Sequence, residues 1–85
     1  MNHMIIKSPY ITEKVTGMID ANNTMEFVVD MKARKPEIKK AIEEQFDVDV
    51  ICVRTMITSR GEKKAVVKFA GDNTANELAT RLGLL

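Results

Sequence analysis

The sequence predicts an α+β fold in which a small antiparallel sheet has helices packed against it. Short β-branched runs alternate with stretches of helical apolar periodicity. A helix joining MEFVVD to the run from Val48 imposes a right-handed crossover, which makes those two strands parallel and leaves a gap between them. The last strand, AVVKF, is apolar on both parities and fits that gap, where a strand is covered on each face. With 85 residues, 45% of them apolar, residues 1–85 are read as a single domain with one core. A domain of this size hides about 60 to 65% of its unfolded surface.

Met4, Ile5 and Ile6 begin an edge strand that Ser8 and Pro9 stop. Thr12 can cap a short helix over Glu13 to Ile19, weakened by Gly17 and ended by Asp20, Asn22 and Asn23. Met25 to Asp30 alternates Met25, Phe27 and Val29 against Glu26 and Asp30, the pattern of a strand buried mainly on one face. Pro36 suits the first turn of the next helix, and Ile38, Ala41, Ile42 and Phe46 form its apolar stripe.

Val48 to Thr58 is β-branched, and its apolar positions shift register around Ile51 and Cys52, as a bulge requires. Arg60 and Gly61 reverse the chain into Lys64 to Phe69. Thr74 with Glu77 makes a capping box for the last helix, in which Ala75, Leu78, Ala79 and Leu82 line one face before Gly83 ends it.

The single cysteine, Cys52, has no internal disulfide partner, and its apolar strand predicts a buried thiol in a reducing compartment. His3 has no second metal-ligating residue near it, so no metal or other cofactor is expected. No apolar run approaches the length of about 20 residues that spans a bilayer, and MNHMIIK lacks the pattern of a signal peptide. The expected location is the cytosol.

A net charge of +1 does not announce a nucleic-acid binder, so the placement of charge has to carry that reading. Lys32, Arg34, Lys35, Lys39 and Lys40 stand against Glu37 at the start of the long helix, and Glu43, Glu44, Asp47 and Asp49 gather at its end. That polarity is the reverse of what the helix dipole favours. Lys39–Glu43 and Lys40–Glu44 also run in the weaker order. A solvated face with weak ion pairs is the plain reading; a phosphate-binding helix start gives the reversal a purpose. A second cluster, Arg54, Arg60, Lys63, Lys64 and Lys68 against Glu62, follows on the next hairpin. GEKKAVVKF lacks the strand aromatics of base-stacking RNA modules. Phe27, Phe46 and Phe69 are read as core and Tyr10 as half exposed, so phosphates, sugars and RNA shape are the expected contacts.

SPYITEK, FVVD, KPEIKKAIEEQFDVDV, VRT and GEKKAVVKFA, in this order and covering nearly the whole chain, resemble the universal L-twenty-three family of large-subunit ribosomal proteins. The resemblance implies strand order 1-2-4-3 and binding to large-subunit rRNA beside the exit of the peptide tunnel. It also implies neighbouring large-subunit proteins and a docking surface for the signal recognition particle and, in bacterial relatives, a ribosome-bound chaperone. Glu13 occupies the acidic position of the TEK motif that resembles the chaperone-docking site, while Lys14, Lys35, Lys39, Lys63 and Lys64 match basic positions of the family's motifs.

Three features depart from the family pattern. Arg34 stands where relatives often carry Thr or Asn, which removes a capping oxygen worth about 1 kcal/mol. Arg54 stands where other relatives carry Asn. The hairpin at Ser59–Glu62 is short, so the chain resembles the archaeal form and is not expected to reach into the tunnel.

A small regulatory or adaptor domain is the alternative from a different class, and it would show a ligand but no RNA affinity. An acyl-phosphate hydrolase would need a glycine-rich anion loop, and Gly17, Gly61, Gly71 and Gly83 are scattered singly, so no enzyme is expected. For Glu13 the plain alternative to docking is a carboxylate favoured by the dipole at the start of the short helix.

Overall fold

The computed structural model describes residues 5–10, 12, 17, 19 and 21–84. Four strands, β1 (Ile6–Pro9), β2 (Thr24–Val29), β3 (Val50–Ile57) and β4 (Lys63–Phe69), form one sheet in the order β1-β2-β4-β3. All three pairings are antiparallel, and β4 fills the gap that the crossover through helix α1 (Lys35–Phe46) leaves between β2 and β3. Helix α2 (Thr74–Arg81) closes the chain.

Helices α1 and α2 lie on one face of the sheet. Ile38 and Ile42 of α1 and Ala75, Leu78 and Ala79 of α2 share a core with Met25, Phe27, Val29, Ala65, Val67 and Phe69, to which Ile19 adds. Phe46, half-buried, stacks on Phe27 with ring centroids 5.8 Å apart. Each fully buried Val, Leu, Ile, Met or Phe side chain contributes about 1.5–3 kcal/mol against unfolding.

Several expectations are corrected. The first strand starts at Ile6 and runs through Ser8 and Pro9, with Pro9 opposite Phe27. Proline is tolerated there because β1 is an edge strand. The short helix ends later than predicted, since Ala21 and Asn22 are helical, as Gly17 and Ile19 are, while its predicted start at Glu13 lies outside the described residues. Asn23, at φ 54°, then turns the chain into β2.

β2 is buried along its whole length, Thr24 and Glu26 included, and not on one face alone. Cys52 is exposed, not buried. The predicted bulge explains the thiol's position: the β3–β4 register shifts between Val50 and Cys52, which places Cys52 on the face away from the helices.

The capping box at Thr74 does not form. Asn73 is the N-cap residue of α2 and makes no side-chain cap bond, while the Thr74 hydroxyl donates to Ala70 O at 2.6 Å. The Ala75 N–H instead donates to Asn23 Oδ1 at 2.7 Å. At the other end Gly83, at φ 76°, terminates α2 as expected. Its N–H bonds Thr80 O, and the Leu84 N–H reaches Ala79 O, the paired bonds of a Schellman motif.

Candidate nucleic-acid interface

The first basic cluster is built on a stiff turn. The Lys32 N–H donates to Asp30 Oδ1 at 2.8 Å and the Ala33 N–H to Asp30 O at 3.0 Å, so the chain leaves β2 and enters α1 along a fixed path. Arg34 is the N-cap residue in extended conformation, and its side chain accepts no bond, as a guanidinium must. Glu37 supplies the other half of a cap by accepting the Arg34 N–H at 2.9 Å. The Glu37 carboxylate thus takes one amide a phosphate would otherwise use, which leaves the cationic side chains as the main attraction.

Lys32, Arg34, Lys35, Lys39 and Lys40 are all exposed. Among the described residues none has a carboxylate at ion-pairing distance, and neither Lys39–Glu43 nor Lys40–Glu44 closes into a pair. The acidic end of α1 has a partial structural reason. Glu43 Oε2 accepts the Val50 N–H at 3.1 Å and so ties the helix to the start of β3. Arg81 donates to Phe46 O at 3.2 Å, placing a cation at the end of α1 where the dipole favours one.

The second cluster divides. Lys63 turns its ammonium to Ala33 O at 2.5 Å and Met31 O at 3.5 Å, anchoring the loop before α1 to the sheet. Lys64 lies on the opposite face, with Nζ 2.8 Å from Glu26 Oε1 and 4.8 Å from the centroid of the half-buried Tyr10 ring. The contact is electrostatic more than directional, because Oε1 receives no hydrogen bond of proper geometry. The Glu26 side chain is 6% exposed and that of Lys64 17%, so the pair is shielded from solvent.

Arg54, Arg60 and Lys68 remain exposed. Arg60 marks the tip of the β3–β4 turn, beside Tyr10, Thr12 and Ser59. That turn is held by Thr58 N–H to Glu62 O at 2.8 Å and by Gly61, at φ 82°, donating to Thr58 O. Arg54 and Lys68 share the open face of the sheet. Apart from Lys63, the two clusters therefore occupy opposite sides of the molecule, one beside the helix layer and one on the uncovered face of the sheet.

Asn22 and Thr24 join Arg54 and Lys68 around a groove on that face, and sequence reading missed both. Strand parity would have found Thr24 once the β2–β4 register was known, since Thr24 stands opposite Lys68. Glu13 and Lys14 lie outside the described residues. Exposed Ile51, Met31, Met56 and Ile57 add apolar surface at β3 and at the turn after β2. No helix among the described residues is long and apolar enough to cross a membrane.

The family model described as ribosomal protein L23 matches residues 4–77. The large ribosomal subunit protein uL23 of Methanospirillum hungatei is 46% identical over 82 residues, covering 96% of this chain and 100% of the relative. That of Haloarcula marismortui is 45% identical over 84 residues, covering 99% of each, and that of Halobacterium salinarum is 42% identical over 80 residues, covering 94% and 95%.

Proposed function

Because this chain belongs to the ribosomal protein L23 family, we propose that it is a structural constituent of the large ribosomal subunit, bound to large-subunit rRNA beside the exit of the polypeptide tunnel. Family membership makes it a component of the cytoplasmic ribosome and not an enzyme. At the tunnel exit it helps to form the docking surface for the signal recognition particle and other nascent-chain factors, with Glu13 as the docking carboxylate.

The observation that carries the RNA reading is the exposed row Lys32, Arg34, Lys35, Lys39 and Lys40 on a rigid helix start, with no carboxylate partner among the described residues. The fixed backbone presents these cations together, and each phosphate neutralised releases counterions. Arg54, Arg60 and Lys68 extend the contact to the uncovered sheet face, and Lys14 joins them from the motifs, whereas the other two motif lysines, Lys63 and Lys64, are engaged within the fold by Ala33 O and Glu26. The short turn after β3 keeps the chain at the rim of the tunnel. The exposed apolar side chains at Ile51, Met56 and Ile57 offer a surface for neighbouring large-subunit proteins.

Sedimentation of the native protein from a cell extract, repeated after a high-salt wash of the ribosomes, tests the proposal. Migration with the large subunit that survives the wash is the expected result. Recovery only at the top of the gradient rejects it and favours an adaptor domain.

A further inference from the structure

The sheet face turned away from the helices carries three cross-strand rows fixed by the register of β2, β4 and β3. Thr24, Lys68 and Cys52 form one row, Glu26, Val66 and Arg54 the next, and Val28, Lys64 and Met56 the third. A groove of about 280 Å³ follows the first two rows and is lined by Asn22, Thr24, Cys52, Arg54, Val66 and Lys68.

The groove has an apolar floor and a cationic rim. Val66 is buried although both helices lie on the other face. Arg54 and Lys68 are exposed diagonal neighbours, and like charges so placed on a sheet repel one another. Glu26, the only carboxylate in these rows, is turned to Lys64 and does not line the groove. Thr24 Oγ1 donates its proton to Asn22 O at 2.9 Å, which leaves the hydroxyl oxygen as an acceptor at the groove wall.

The geometry points to this groove as the site of one unpaired RNA nucleotide, its phosphate between Arg54 and Lys68 and its base over Val66 and the Cys52 side chain. The inference rests on the rRNA-binding reading and names the RNA element that this face takes. A phosphate relieves the repulsion of the two cations and gains charge-assisted bonds from both. The Thr24 oxygen and the Asn22 amide supply polar groups for a base edge, which only a splayed-out base presents. Duplex RNA does not enter a space this small, which lies just below the range of ligand cavities, about 300 Å³ and upward.

Cys52 is the only cysteine in the chain and therefore reports on the groove directly. In isolated large subunits the expected result is alkylation of Cys52 by iodoacetamide slowed about tenfold or more against the free protein, since thiol reactivity follows access. Ultraviolet irradiation of the same subunits is expected to leave a mononucleotide adduct on the Cys52 peptide, because photocrosslinking needs contact with a base. Arg54→Ala lowers the adduct yield about fivefold while the protein still sediments with the subunit. Alkylation at the free rate overturns the inference. Slowed alkylation without an adduct also overturns it, because another protein then covers the groove. Absence of the protein from the subunit rejects the rRNA-binding reading itself, so the two failures are distinct.

Discussion

Asn23 Oδ1 accepts the N–H of Ala75 at 2.7 Å, a bond between residues 52 positions apart that caps helix α2 from outside. The same side chain donates through Nδ2 to Phe69 O and Gly71 O, each at 2.9 Å, and its backbone oxygen accepts the Phe69 N–H at 3.0 Å. The amide orientation follows from these partners, two acceptors at nitrogen and one donor at oxygen. One residue thus joins the entry to β2, the end of β4 and the start of α2.

Replacing Asn23 tests that junction. Asn23→Ala loses the cap and two side-chain bonds and places a Cβ residue without local polar support at φ 54°, so a loss of about 3 kcal/mol in chemical denaturation is expected. Asn23→Gly restores the backbone freedom and recovers about 1 kcal/mol of it. Amide exchange at Ala75 rises in both variants. A loss below about 0.5 kcal/mol in the alanine variant would show that water replaces the cap without cost.

Glu26 and Lys64 form a shielded pair across β2 and β4, so removing one partner strands the other. Lys64→Ala is expected to destabilise by about 3 kcal/mol. The double variant Glu26→Leu, Lys64→Met should return close to the parent, because an apolar pair has no charge to desolvate. Equal losses in the single and the double variant would exclude charge burial as the cause.

Arg34 sets stability against binding. Arg34→Thr supplies the oxygen that the α1 cap lacks, and with Glu37 already bonded to the N-cap amide it completes a capping box. The expected gain is about 1 kcal/mol, together with weaker affinity for rRNA. A variant that is more stable and binds rRNA as tightly as the parent would remove Arg34 from the interface.

The docking role proposed for Glu13 can be tested apart from RNA binding. Glu13→Ala should lower recruitment of the signal recognition particle to isolated ribosomes and leave rRNA affinity as it was. Unchanged recruitment assigns the carboxylate to the helix dipole alone.

What the sequence made legible was local pattern plus chain geometry. The crossover through α1 and the two-sided apolar run at Ala65, Val66 and Val67 were enough to place β4 centrally, and the register shift marked the bulge beside Cys52. What it hid depended on partners distant in sequence. Glu26 reads as a solvent-side residue until Lys64 of β4, itself against the Tyr10 ring, comes over it. The α2 cap comes from Asn23, so Thr74 and Glu77 offered a local signal for a bond that the fold makes elsewhere. The two basic clusters looked continuous along the chain because alternation along β4 does not say which face the helices cover. Lys63 and Lys64, adjacent in sequence, point to opposite sides of the sheet and into different structural contacts.

That division makes the helix start the clearest place to test RNA binding, because its cations have no other structural partner among the described residues. Lys35→Ala, Lys39→Ala and Lys40→Ala together remove three exposed charges from α1 without touching its buried stripe of Ile38 and Ile42. Folding stability should change little, since exposed unpaired lysines contribute within about 0.5 kcal/mol. Affinity for large-subunit rRNA should fall, and the log–log dependence on salt should flatten by about 0.7 to 0.9 for each phosphate that is no longer neutralised. The same binding titration with Lys63→Ala should keep the parent slope, because that ammonium is engaged with Ala33 O and Met31 O. A triple variant that retains the parent slope would sink the helix-start interface and leave the uncovered sheet face, with Arg54 and Lys68, as the principal RNA-binding surface.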